Sequence, residues 1–356
     1  MLNRSMSRLA TAVAVAGTVC ALGAASAAAA TPTSGWSGRT GPVPHAFTNA
    51  TPAMTSVSFP GHAATDTLVA WKGQHGAHVF YSYTSSPKLS GGWSARASVP
   101  GAHSSAGPSV GTYVDPLGRT AVVAVWKGLG NRKIFYAQGE TRGDGTISWT
   151  ARATLPTSKL DTSTTAPSVF FPANAAHDRV IVAWKGPLNH VRYSVGTPSG
   201  RGFTWTPSNW LSAAANTRTS SAPALAEVQT GTAHGTLYVF WKGLHSHHIR
   251  FATTSDPLNL SAGRLTWSAA RTVRHAATTA GPAASSLRLH GFGPLLLTYK
   301  GPTGLHVRYQ TRTVFGWSAW KIVPGALTAV GPAQLRGILA TSSPDASGSI
   351  FFHIFS

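Results

Sequence analysis

Five lysines each close a copy of one short phrase: Val69-Ala70-Trp71-Lys72-Gly73, Ala124-Val125-Trp126-Lys127-Gly128, Val182-Ala183-Trp184-Lys185-Gly186, Val239-Phe240-Trp241-Lys242-Gly243 and Leu297-Thr298-Tyr299-Lys300-Gly301. Five or six residues beyond each lysine stands a second basic residue: His78, Lys133, His190, His248 and His306. In three copies an arginine follows two positions later, at Arg192, Arg250 and Arg308, and the intervening loops add His75, Arg132, His245 and His247. Ammonium and imidazole groups brought together by a repeat suit anionic or hydroxyl-rich glycans, with an affinity that salt screening lowers. Imidazoles beside lysines charge reluctantly, so such binding is expected to strengthen below about pH 6.5.

Hydrolysis would ask for different residues. A glycosidase needs two facing carboxylates, and the nine acids are Asp66, Asp115, Glu140, Asp144, Asp161, Asp178, Glu227, Asp256 and Asp345. Most fall where turns are expected and no pair is marked by the repeat; Glu227 alone follows a strand expected to line an axis. The three arginines occupy equivalent places in successive units and do not converge. His245-Ser246-His247-His248 is the one dense imidazole group and has no carboxylate partner, so neither a metal nor a cofactor is expected. Cys20 is the single cysteine.

That cysteine lies inside an expected leader over residues 1–30: Arg4 and Arg8, an apolar run from Leu9 to Leu22, then small residues from Ala24 to Ala30. The run is too short and too alanine-rich for a membrane anchor, and Val19 before Cys20 is too large for lipid attachment. The expectation is a secreted chain with no transmembrane segment and no thiol once the leader is removed, which excludes disulfides and cysteine nucleophiles. The formal charge of +20 predicts attraction to anions. The cations are evenly spread, without a run of five, so no specific nucleic-acid partner is expected.

The elements behind the phrases are strands. Trp71, Trp126, Trp184, Trp241 and Tyr299 are separated by 55, 58, 57 and 58 residues, a period that marks equal supersecondary units stacked on one another. Each unit opens with a small residue and a proline (Thr51-Pro52, Gly107-Pro108, Ala166-Pro167, Ala222-Pro223, Gly281-Pro282, Gly331-Pro332), where a strand loses no ladder donor and the residues read as turn signals. A second strand ends in Trp-Lys-Gly, and a third is an alternating run such as Val79-Phe80-Tyr81. A fourth begins at Trp-Ser or Trp-Thr: Trp36, Trp93, Trp149, Trp205, Trp267 and Trp317. Four short antiparallel strands per unit, with no helical period, is the pattern of a β-propeller blade.

Five units are complete between Pro52 and Trp317. The chain end supplies strands A, B and C of a sixth, with Ile350-Phe351-Phe352 as strand C, and the Trp36 stretch is a strand D without a blade. Together they make a closing blade that removes both free edges. The expected fold is therefore an all-β, six-bladed propeller of four-stranded blades over residues 31–356, one domain and a monomer. An alternative takes Ile350 to Phe355 as strand B of a three-stranded last blade.

Gly202-Phe203-Thr204-Trp205 fits the end of the Asp-box pattern Ser-x-Asp-x-Gly-x-Thr-Trp, and Asp144 stands at the Asp position before Trp149 with its glycine displaced to Gly145. On these residues the chain resembles the sialidase-like propellers. Its order of motifs is also similar to that of the Photorhabdus-type and fucose-binding lectin propellers. The resemblance covers Gly35 to Ser356 as a repeat-level pattern and implies the fold rather than a ligand; binding is read from the repeated cations. We expect a non-catalytic, lectin-like propeller, with Lys72, Lys127, Lys185, Lys242, Lys300, His78, His190, His248, His306, Arg192, Arg250 and Arg308 holding glycan or anionic surface polymer at repeated inter-blade sites. The acidic sugar ligand of the fucose lectins has no repeated counterpart here, so fucose specificity is not carried over. A sialidase-like hydrolase using Glu227, and a protein-interaction scaffold, are the alternatives. The strand-B tryptophans are expected to pack between blades, the strand-D ones to pack or to stack on sugars, and the lysines to bind ligand or tie neighbouring loops.

Overall fold

The computed structural model describes residues 35–355 apart from 116–117, 156–161, 173–178, 212–216, 230–234, 255–263, 288–292, 314 and 346. The expected leader and the acids Asp161, Asp178 and Asp256 lie outside the described residues. Six antiparallel sheets follow one another in the chain, and no α-helix occurs among the described residues. In the first blade, strand A is Ala53–Val57, B is Asp66–Lys72, C is His78–Thr84 and D is Ala97–His103, hydrogen-bonded in that order. The A strands of all six blades touch in a closed cycle, the sixth against the first. This is the six-bladed propeller read from the sequence. In blades 2, 3 and 5 strand D is split in two, so the Trp-Ser or Trp-Thr phrase ends or follows a first short piece before a second resumes the pairing.

Alternation along each strand sends side chains to both faces of a blade, so the core is six seams rather than one centre. Each strand-B aromatic packs towards the preceding blade: Trp71 in the seam of blades 6 and 1, Trp126 in 1 and 2, Trp184 in 2 and 3, Trp241 in 3 and 4, and Tyr299 in 4 and 5. All five are at most 1% exposed. The strand-D tryptophans complete the seams from outside by clasping a strand-C ring of the preceding blade. Trp149 lies 5.7 Å from Tyr81, Trp205 5.4 Å from Tyr136, Trp267 5.8 Å from Tyr193 and Trp317 6.0 Å from Phe251, all edge to face. Trp93 stacks on Phe352 at 5.4 Å. Buried aromatic pairs of this kind add about 0.5–1.5 kcal/mol each beyond area burial.

Blade 6 is assembled from both ends. Ala333–Leu335, Ile338–Ser342 and Ile350–Ile354 are its strands A, B and C, which places Ile350–Ile354 as strand C and rules out the strand-B alternative. The amino-terminal segment then supplies the outer strand. The Ser37 amide donates to the Ile354 carbonyl at 2.7 Å, Thr40 to Phe352 at 3.0 Å and Val43 to Ile350 at 3.3 Å. Trp36 bridges to Phe355 and clasps Tyr309 of blade 5 at 5.5 Å, taking the place that Trp149 or Trp205 holds elsewhere.

Candidate functional site

The lysines arrive at one rim, as the strand directions require, and there they are tied down. Each strand A is preceded by a turn in which a hydroxyl accepts the amide two residues on: Thr48, Ser104, Ser163, Thr219, Thr278 and Thr328. In four blades the next residue of that turn accepts a hydrogen bond from the lysine. Lys72 Nζ donates to Asn49 Oδ1 at 2.9 Å, Lys242 Nζ to Ser220 Oγ at 2.6 Å, Lys300 Nζ to Thr279 Oγ1 at 2.8 Å, and Lys127 Nζ to Ser105 Oγ. Lys185 occupies the same strand position, with Thr164 at the matching place in its turn. Burial holds the pKa of Lys72, Lys127, Lys185 and Lys242 below the usual lysine value, with Arg132 adding to the effect at Lys127.

The glycine after each lysine has a packing reason. A β-carbon on Gly73 would come within 2.9 Å of the Phe80 ring, on Gly128 within 2.6 Å of Phe135, and on Gly186 within 2.3 Å of the Arg192 stem. The strand-C residue opposite the tryptophan lies across this glycine. In blades 3, 4 and 5 that residue is Arg192, Arg250 or Arg308, so the three arginines sit at equivalent places on three successive blades and form no cluster. Arg192 donates to the carbonyl and hydroxyl of Ser208 at 3.2 and 2.8 Å, and Arg308 lies 4.1 Å over the Trp320 ring. His78, His248 and His306 are exposed on the lysine rim, His78 with its ring 4.3 Å from that of His103. His190 is half-buried. Its pKa is lowered by burial, then by Arg218 and Arg192.

A cavity of about 1290 Å³ runs along the axis, lined by all six A strands. At the lysine rim the small residues and prolines that open the repeats crowd together. A β-carbon on Gly107 would sit 2.1 Å from the Thr51 carbonyl oxygen, and one on Gly331 would sit 2.7 Å from that of Gly281. These two glycines are fixed by close approach of neighbouring chains around the axis, not by turn geometry.

Towards the other rim the repeat loses its consensus. Three positions on from Ala53, Ser109, Ser168, Ala224, Ala283 and Ala333 stand six residues, of which strand pairing sets Ser56, Thr112, Glu227 and Ser286 at one level, while Phe171 and Arg336 follow directly on the paired stretch of their strand A. All six line the cavity. Glu227 is 3% exposed, and its carboxylate lies over Gly235, where a β-carbon would meet Oε1 at 2.2 Å. A second carboxylate, Asp115, lines the same cavity. It is paired with Arg119 at 2.8 Å, and Arg119 also reaches Glu140 at 2.6 Å. Asp144 closes the neighbouring C–D turn by accepting from the amide and hydroxyl of Thr146 at 2.9 and 2.6 Å, bonds that depress its pKa. Among the six described acids, Asp66, Asp115, Glu140, Asp144 and Glu227 belong to this rim, and Asp345 to the lysine rim. No group of three or more metal-ligating side chains occurs among the described residues.

No protein-family model and no curated protein matches the chain. Solved structures do. An α-L-arabinanase of Penicillium chrysogenum, solved with arabinobiose, superimposes with a TM-score of 0.59 at 11% identity over 91% of this chain and 98% of its own. A Hadza microbial sialidase gives 0.51 at 12% identity over 86% of this chain and 65% of its own. The Aleuria aurantia lectin, solved with Fucα1-6GlcNAc, gives 0.50 at 10% identity over 79% and 81%. Likeness at such identity shows the propeller fold, and the resemblance to sialidase and fucose-lectin propellers holds at that level.

The expectation of a non-catalytic lectin is overturned by this comparison, because the chain superimposes better on the arabinanase than on the lectin. The expectation that it is not an enzyme falls with it. The physical reason lies in the axis: an axial site is single, so its residues need not recur, and the lack of a repeated acid carried no information about catalysis.

Proposed function

We propose that the chain is a glycoside hydrolase acting in the axial cavity on a pentose-rich polysaccharide of the arabinan type. The observation that carries this is the stretch of the cavity lined by Ser56, Thr112, Phe171, Glu227, Ser286 and Arg336. Each A strand opens on Ala or Ser, whereas at this stretch the blades differ and a carboxyl, a guanidinium, hydroxyls and a ring line a common space. The sugar bound to the superimposing arabinanase supplies the substrate class.

Glycoside cleavage divides labour between two carboxyl groups in different surroundings. Glu227, enclosed in blade 4, is the proton-transferring group. Asp115, held by Arg119 in blade 2, is the second carboxylate. Arg336 and the hydroxyls orient the sugar. The sialidase form of this reading has less support, since Arg192, Arg250 and Arg308 stand on strand C and are not among the residues lining the axial cavity. Action outside the cell, after loss of the leader, belongs to the same proposal, and sequencing the amino terminus of the protein recovered from culture medium checks it.

The test is turnover of fluorogenic α-L-arabinofuranoside and sialoside, together with release of sugars from linear arabinan. Glu227→Gln is expected to lower turnover by 10²-fold or more, the scale of a missing proton-transfer group, with an unchanged melting temperature. Failure of the wild-type protein to cleave arabinosides, xylosides, galactosides or sialosides would sink the proposal.

A further inference from the structure

Ten of the twelve tryptophans belong to the repeat: Trp71, Trp126, Trp184 and Trp241 on strand B, and Trp36, Trp93, Trp149, Trp205, Trp267 and Trp317 at the outer clasps. The remaining two, Trp210 and Trp320, are the large aromatic indoles that stand exposed, at 53% and 40%. Strand pairing sets Trp210 opposite Arg192 on the outer edge of blade 3, a place taken by Ser98, Thr272 and Ile322 in blades 1, 4 and 5. Packing does not call for an indole there.

The surroundings of Trp210 are specialised. The loop from strand B to strand C runs from Gly186 to His190, one residue shorter than Gly73 to His78, Gly128 to Lys133, Gly243 to His248 or Gly301 to His306. The lost residue forces Leu188 and Asn189 into left-handed backbone, at φ 57° and 65°, a conformation non-glycine residues adopt at a cost. It also brings the His190 ring edge-on to Trp210 at 5.4 Å. His190 Nδ1 bonds the Thr217 hydroxyl at 3.1 Å, and the Arg218 Nε donates to His190 Nε2 at 3.5 Å, which sets the imidazole beside an exposed guanidinium. The indole face is thus flanked by hydrogen-bonding groups. Trp320 contrasts with it: Arg308 covers one of its faces, and its neighbours on strand D, Ile322 and Leu327, are exposed aliphatics.

We propose that Trp210, His190 and Arg218 form a second saccharide site on the outer edge of blade 3, separate from the axial cavity, which holds the polymer while its end is processed. An aromatic face suits the C–H face of a sugar ring, and the imidazole and guanidinium suit its hydroxyls. An aliphatic border, as at Trp320, suits a protein surface instead. The choice of polymer rests on the hydrolase proposal; the existence of the site does not.

The experiment is native affinity electrophoresis of the full chain through gels containing linear arabinan, in the Glu227→Gln background so that the polymer persists. The parent protein is expected to be retarded. Trp210→Ala should weaken the apparent affinity at least ten-fold, Arg218→Ala by a smaller factor, and Trp320→Ala should leave it unchanged. In the otherwise wild-type chain, Trp210→Ala should keep full turnover of a small fluorogenic arabinoside. Equal retardation of parent and Trp210→Ala, or no retardation of the parent by arabinan, xylan or galactan, overturns the site. So does self-association in sedimentation that Trp210→Ala abolishes, which would mark the edge as a contact between copies. Retardation that depends on Trp210 without any turnover would leave this site standing and remove the hydrolase proposal; turnover without that dependence would do the reverse.

Discussion

Blade 6 and the five blades before it reach the same architecture by different means. Blades 1 to 5 are continuous in the chain, whereas blade 6 borrows its outer strand from residues 312 to 317 positions away. The clasp survives that exchange, since Trp36 meets Tyr309 as Trp149 meets Tyr81. The lysine tie does not. Pairing puts Ser342 where Lys72 or Lys242 stands in other blades, and Ala329 where Asn49 or Ser220 accepts. Donor and acceptor have been lost together, which identifies the pair as a loop fastening that a blade can lack. Outer aromatic packing, by contrast, is kept at all six seams.

The largest effect expected from this contrast is at the clasp. Trp36→Ala should cost about 3–5 kcal/mol, the range for truncating a buried aromatic, and Trp205→Ala a similar amount by chemical denaturation. Only Trp36→Ala should speed hydrogen exchange across Ile350–Ile354; equal exchange in both variants would deny a separate closing step. Gly107→Ala comes next. Its methyl meets a neighbouring backbone oxygen, so a loss of about 1–3 kcal/mol is expected, while Gly38→Ala, with nothing within 4 Å, should be close to neutral.

A pH effect isolates the closing seam. His353 is fully buried in strand C of blade 6. Burial lowers its pKa, Arg39 lowers it further, and the Ser37 backbone opposes them. The unfolded imidazole takes up a proton near pH 6.5 and the folded one resists. Its contribution to stability is complete above that pH and lost as pH falls below it. The melting temperature should drop between pH 7.5 and 5, and His353→Gln should flatten that dependence; parallel curves would clear His353 of the effect. The smallest expected change is a gain. Ala329→Ser with Ser342→Lys should install the missing tie for about 1 kcal/mol or less, seen as coupling in a double-mutant cycle.

The blade count was legible because period-2 strands and a period near 57 residues leave few alternatives, and because a spare strand D at one end matched a missing one at the other. The lysine role was half legible. Spacing brought Lys72, Lys127, Lys185, Lys242 and Lys300 to one rim, yet the acceptors lie about 22 residues upstream in turns that look variable. Comparing blade 6 with the rest would have exposed them, since Ala329 and Ser342 change together. Glu227 was legible as the one acid just after a strand A, whereas Asp115 and Arg336 beside the same cavity were not, because no motif marks them and only the folded ring brings them to it. Trp210 and Trp320 were hidden by their type, a tryptophan among tryptophans.

Synthesis delivers the chain from the amino terminus, so Trp36 is made long before its partners Tyr309 and Phe355. Until Ile350–Ile354 has been made, five blades can stack while Ser37, Thr40 and Val43 lack the backbone they bond to. The ring therefore cannot shut before Ile350–Ile354 is made, and any product ending before Ile350 lacks strand C of blade 6 and leaves the amino-terminal segment without the strand it pairs with.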